Sequence, residues 1–156
     1  MDREPRCRII CIGNRFIPGD DVGLKVYDRL KELPLPEGVE LIEGGIAGLN
    51  LLRYADGVRR IIFVDAVSGF CADDEFVSLS REQLASEALS HFEHSAGIPY
   101  LVQAMPAALD GPLPELFLLG AEANASDNTI DSLANACLQA AMGDRDGKEG
   151  RTDQTA

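Results

Sequence analysis

Short apolar runs that stop at glycine or at an acid constrain this chain more than any other feature. Arg8-Ile9-Ile10-Cys11-Ile12 runs into Gly13-Asn14, and Val39-Glu40-Leu41-Ile42-Glu43 runs into Gly44-Gly45. Ile61-Ile62-Phe63-Val64 runs into Asp65, and Leu116-Phe117-Leu118-Leu119 runs into Gly120. Runs of this length bounded by turn residues read as strands, and the first and last read as strands buried on both faces. Helical spacing fills the intervals. Residues 21–33 place Val22, Val26, Leu30 and Leu33 near one face, and Pro34 and Pro36 stop them. A helix is expected over 47–55, closed by Gly57, and another near 97–106 with Pro99 in its first turn. Residues 127–142 carry a stripe of Ile130, Leu133, Ala134, Cys137, Leu138 and Ala141. Glu75-Phe76-Val77-Ser78-Leu79 reads as a weaker strand, antiparallel or at an edge, and Ser80 reads as the cap of a helix near 81–88.

The resulting β-α-β-α-β order predicts an α/β fold with a mostly parallel sheet of about five strands flanked by helices. At 156 residues the chain fits one domain. We place that domain at residues 1–142 and expect the polar, mixed-charge stretch 143–156 to be a disordered tail.

Composition excludes several function classes. The formal net charge of −12 opposes nucleic acid and anionic membrane surfaces, both of which need a basic face. No apolar run approaches the ~20 residues of a membrane-spanning helix, and Met1–Arg6 lacks the apolar core of a signal peptide, so a cytoplasmic location is expected. The four cysteines, Cys7, Cys11, Cys71 and Cys137, form no CxxC pair. Cys7 and Cys11 would share one face of a strand as small apolar residues. GxSxG, HExxH and P-loop motifs are all absent.

Chemistry is left to a few acids and histidines. In a parallel sheet the carboxyl ends of the strands share one edge, and ligands bind there. Asp20 and Asp21 lie in the turn after the first strand, between Gly13-Asn14 and Gly23, and Asp65 ends the third. His94 follows in a polar loop that also holds His91. Each has a plain structural reading: an acidic N-cap for the aspartate pair, a turn cap for Asp65, and solvation for the histidines. Together, two carboxylates and an imidazole would suit a divalent transition metal. Two acids where a phosphate would dock make a dinucleotide or flavin site a poor alternative.

Taken in register, these segments resemble the hydrogenase maturation proteases. The likeness runs through Gly13-Asn14…Asp20-Asp21-Val22-Gly23, Glu43-Gly44-Gly45-Ile46-Ala47-Gly48-Leu49-Asn50-Leu51-Leu52 and Ile61-Ile62-Phe63-Val64-Asp65-Ala66. It continues through the His94 loop with Leu101 beyond it, to Leu118-Leu119-Gly120-Ala121-Glu122. The resemblance implies an α/β/α sandwich and an endopeptidase that removes the C-terminal extension of a nickel–iron hydrogenase large-subunit precursor after nickel insertion. It implies that Asp20, Asp65 and His94 form the metal and catalytic site, with Asp21 the alternative to Asp20. Nickel would arrive on the precursor, and zinc or cadmium would also suit the ligands. The implied partner is the precursor, with the enzyme itself a monomer. A non-proteolytic maturation chaperone of the same fold is the second functional reading. Two departures stand out: the first turn carries Arg15-Phe16-Ile17-Pro18 with its acid pair one position late, and Glu93 precedes His94.

Overall fold

The computed structural model describes residues 5–46, 49–72, 74–85 and 97–143. Five strands form one sheet: β1 (Cys7–Ile12), β2 (Val39–Gly45), β3 (Arg60–Val67), β4 (Phe76–Ser80) and β5 (Glu115–Glu122). Their order is β2-β1-β3-β5-β4. The first four in that order are parallel, and β4 closes the edge antiparallel to β5. Helices α1 (Val22–Leu30), α2 (Gly97–Ala108) and α3 (Asp127–Met142) and a 3-10 helix, Leu49–Tyr54, supply the connections, with a further helical stretch at 81–85.

The apolar runs are explained by burial on both faces of the sheet. Alternate residues of each strand enter different cores. Cys7, Ile9, Cys11, Ile62, Val64 and Leu119 pack with Val22, Val26 and Leu30 of α1 and with Ile130, Leu133 and Cys137 of α3. Ile10, Ile61, Phe63, Val67 and Leu118 pack on the other face with Leu51 of the 3-10 helix, Leu84, and Ile98, Leu101, Val102 and Met105 of α2. This is the expected three-layer α/β/α sandwich. Cys7 and Cys11 do share a face, and the stripe on α3 is buried or half-buried as its spacing requires.

Several boundaries differ from expectation. Helix α1 ends at Leu30, and 31–33 tighten into i→i+3 bonds, Glu32 N to Arg29 O and Leu33 N to Leu30 O, ahead of Pro34. The expected helix at 47–55 is a 3-10 helix at Leu49–Tyr54, continued by Ala55 N donating to Leu52 O. Strand β3 runs two residues past Asp65, because pairing with β5 continues to Val67↔Glu122. Pro106 lies inside α2, which still closes with Leu109 N bonded to Met105 O. The edge strand and its cap hold: Gln83 N donates to Ser80 Oγ while Ser80 N donates to Gln83 Oε1, a reciprocal capping box. Of the expected tail only Gly143 falls within the described residues.

Candidate functional site

The strand order reverses direction between β1 and β3: the chain moves outward from β1 to β2, then returns to the far side of β1 to lay down β3. Such a switch point opens a crevice at the carboxyl ends of the two strands. The turn at 13–21 leaves the end of β1 there, and Asp65 lies near the end of β3.

Close packing fixes the start of α1 over that crevice. A Cβ on Gly23 would lie 2.2 Å from the Ile12 carbonyl oxygen and 2.5 Å from that of Val64, so only glycine lets the first helical turn rest on both strand ends. The turn itself is held by Asn14 N donating to Asp20 O (2.8 Å) and Asp20 N donating to Ile17 O (3.0 Å). Gly19, at φ +84°, lies against Ala123 beyond the end of β5, so the turn spans across β3. Asp20 is thereby carried to the edge at which Asp65 resides.

The two acids of the turn have different roles. Asp21, not Asp20, is the N-cap residue of α1, and its side chain makes no capping hydrogen bond. Its carbonyl accepts from Lys25 N (2.9 Å) and its carboxylate pairs with Lys25 Nζ at 3.9 Å. The expected acidic side-chain cap is therefore absent at Asp21, the cap position, because the carboxylate swings outward to the lysine one turn on.

Asp65 is fully buried, 0% exposed, within β3. It does not cap a following turn, since the strand continues beyond it; instead its Oδ1 accepts from Ala66 N at 2.8 Å. Its alternation places it on the face of β3 shared with Ile61, Phe63 and Val67, the side covered by α2. Opposite it in the register stands Gly120, where a Cβ would come within 2.8 Å of the Asp65 carbonyl oxygen. A carboxylate kept this deep is costly in a purely structural position.

His94, His91 and Glu93 lie outside the described residues. Helix α2 begins at Gly97, three residues after His94. A six-residue connection links its far end to Glu115, which starts β5 beside Arg60 at the opposite edge. At 1.5 Å per residue, 12 helical residues extend ~18 Å, so α2 starts toward the edge that holds Asp65.

Glu122 ends β5 on the same edge, and the motif reading did not give it a role. Its Oε1 accepts from Gly69 N (3.1 Å), and its Oε2 accepts from Phe70 N (2.9 Å) and Cys71 N (3.1 Å). Three backbone donors on one carboxylate hold the β3–β4 connection against β5. The signal that singled out Asp65, an acid closing an apolar run, also marks Glu122. Gly44 answers an internal need: the register slips between Cys11 and Ile12, and a Cβ on Gly44 would lie 2.8 Å from Ile10 Cγ2.

The other end of the sheet holds a cavity of about 250 Å³ lined by Arg6, Arg59, Arg60 and Glu115 beside the end of α3. Arg60 donates to Glu115 Oε1 (2.9 Å) and to the carbonyls of Ala140 and Gly143, and Arg6 donates to the Ala141 carbonyl (3.5 Å). These guanidinium groups answer the unpaired carbonyls of a helix C-terminus. Burial pushes the Cys7 thiol there up to about 11, against the opposing pull of Arg60 and Arg6. Cys11 and Cys137 are raised for the same reason. No cysteine among the first-strand pair is thus poised as a nucleophile.

The same architecture occurs in solved structures. HybD, the hydrogenase maturating endopeptidase of Escherichia coli, superposes with a TM-score of 0.65 at 20% identity, covering 86% of this chain and 88% of that one. The fold is that of the hydrogenase maturation endopeptidases. The nickel–iron hydrogenase maturation protease HybD of Thermococcus kodakarensis matches with a TM-score of 0.65 at 21% identity, over 87% of this chain and 99% of the other. An Escherichia coli endopeptidase solved in solution matches with 0.67 at 22%, over 93% and 94%. In sequence, the chain is 33% identical over 61 residues to the "Putative hydrogenase maturation protease" of Methanocaldococcus jannaschii, a stretch covering 38% of this chain and 40% of that relative. No family model matches the chain. None of the described helices is long and apolar enough to cross a membrane.

Proposed function

We propose that the chain is a hydrogenase maturation endopeptidase that removes a C-terminal extension from a nickel–iron hydrogenase large-subunit precursor. The observation that carries this reading is Asp65, a fully buried acid on the central strand beside the switch point, in a fold shared with enzymes of that activity. Asp20, Asp65 and His94 are the residues assigned to grip the nickel that the precursor brings. Asp20 is preferred over Asp21 because the Asp21 carboxylate is turned outward to Lys25.

Two oxygen donors and one nitrogen donor match a borderline divalent ion such as nickel and leave positions for the precursor's own ligands. A metal held there would supply Lewis acidity next to the scissile bond, or a fixed point for positioning the substrate. The chain's own contribution is placement. Gly23 seats α1 on β1 and β3, the closed turn presents Asp20, and the hydrogen bond from Ala66 N orients Asp65. Glu122 holds the β3–β4 connection against β5 by binding its backbone.

The test is incubation with nickel-loaded large-subunit precursor from the same organism, followed by mass measurement. Loss of a small C-terminal fragment from nickel-loaded precursor, and from neither apo-precursor nor reactions with Asp65→Asn, is the expected result. Stable binding without cleavage would replace the endopeptidase with a maturation chaperone.

A further inference from the structure

The turn that carries Asp20 also carries the most exposed large apolar side chain among the described residues. Phe16 is 94% exposed, and Ile46, at the end of β2, is 67% exposed. Isolated apolar residues on a surface are ordinary. Phe16 differs because the turn around it is braced. Phe16 N donates to Asn14 Oδ1 (2.9 Å), and Ile17 N donates to Asn14 O (3.2 Å), which closes the turn beneath the ring. Arg15 forks onto both carboxylate oxygens of Asp28 at 3.1 Å and lies 3.6 Å from Glu43 Oε2, fastening the turn to α1 and to β2. Gly13 N donates to Gly45 O (2.9 Å), so the stem of the turn is tied to the residue before Ile46. The ring is therefore held out in water by a turn fixed at several points, the preorganisation typical of an aromatic anchor in an interface.

We propose that Phe16, with Ile46 just after the end of β2, is the anchor on which the large-subunit precursor docks so that its metal-bearing segment reaches Asp20. This rests on the endopeptidase reading given above. The occupant follows from continuity within one turn: Phe16 lies four residues before Asp20, and hydrogen bonds close the loop between them. A free metal ion reaches the carboxylates without touching Phe16. A protein that presents its metal to Asp20 covers the tip of the same turn. Burying the ring against the partner removes apolar surface from water, and the rigid turn lowers the ordering cost of doing so. Phe16 acts as a substrate-positioning residue and not as a catalytic one.

The experiment measures initial cleavage rates against concentration of nickel-loaded precursor for the wild-type chain, Phe16→Ser, Phe16→Leu and Ile46→Ser, with the thermal midpoint of each. Phe16→Ser is expected to raise KM about tenfold or more with the midpoint unchanged, Ile46→Ser to raise it less, and Phe16→Leu to recover most of the loss. Wild-type kinetics in Phe16→Ser overturn the docking assignment and leave the endopeptidase reading intact. A fall in kcat at unchanged KM overturns it too, since the turn then shapes the chemistry and not the encounter. A concentration-dependent dimer abolished by Phe16→Ser, with cleavage kinetics unchanged, gives the surface to a second copy. A wild-type chain that neither binds nor cleaves the precursor removes both readings together.

Discussion

The two edges of the parallel sheet carry charge in opposite ways. At the amino-terminal edge, arginines predominate and their bonds are internal: Arg60 joins Glu115 to the end of α3, and Arg6 joins the Glu37 and Ala141 carbonyls. At the carboxyl-terminal edge an acid is buried, glycines admit close backbone contact, and Phe16 projects into solvent. The first arrangement lowers the energy of the folded chain by satisfying helix-end carbonyls. The second keeps a costly carboxylate and an unburied ring, which stability alone would not favour. The helix-end caps and the proposed site are thus placed at opposite ends of the same strands.

The sharpest way to break this contrast is a crossed pair of variants. Asp65→Asn should lower precursor cleavage on the order of a hundredfold or more while the thermal midpoint holds or rises. Arg60→Met should do the reverse: it loses charge-assisted bonds to Glu115 and to the α3 carbonyls, costing about 2–3 kcal/mol in denaturant unfolding with kcat intact. If Arg60→Met abolished cleavage at full stability, the division between the edges would fail.

Gly23→Ala sharpens the comparison, because it strikes the seat of α1 on the carboxyl-terminal edge. A methyl group 2.2 Å from the Ile12 oxygen and 2.5 Å from the Val64 oxygen has only backbone to displace. The expected cost is about 3 kcal/mol, accompanied by a loss of cleavage, both read from the same preparation. The last effect, confined to alkaline pH, lies at the arginine edge. Cys7 ionises near 9 when unfolded and at about 11 when folded, so the unfolded chain releases its proton first. Stability is unaffected below pH 9 and falls between pH 9 and 11, by up to ~3 kcal/mol from this group. Unfolding curves of wild type and Cys7→Ala should diverge over that window, with the variant less sensitive; parallel curves would show the thiol to be accessible.

Local pattern made the sheet legible. Apolar runs ended by Gly13, Asp65 and Gly120, and the mixed stretch Val39–Glu43 ended by Gly44, marked four of the strands, and the spacing over 127–142 defined α3. The 3-10 helix at Leu49–Tyr54 was less accessible, because leucines three apart suit either helix type and the short path between β2 and β3 decides between them. Asp65 was visible as an acid after an apolar run. That it sits inside the strand depends on pairing with β5, more than fifty residues away. The arginine caps were illegible for the same reason: Arg6 meets Ala141 across 135 residues, and Arg60 meets Ala140 across 80. Spacing rules capture neighbours along one element, whereas these contacts arise only from the closed tertiary arrangement. The brace from Arg15 to Asp28, thirteen residues apart, lies just beyond the same limit.

The clasp between Arg6 and the end of α3 bears on how the chain is made. Strand β1 leaves the ribosome first, yet part of its apolar surface waits for Ile130, Leu133 and Cys137, and the adjoining arginine waits for Ala141. Strand β1 therefore remains partly uncovered on that face until α3 has been made. Elongation at ~5–20 residues per second leaves it so for several seconds or longer. Closure of the sandwich is a late event, dominated by contacts of long sequence separation and correspondingly slow. A nascent chain halted before residue 127 would display the α3-facing side of its sheet to whatever binds exposed apolar strands.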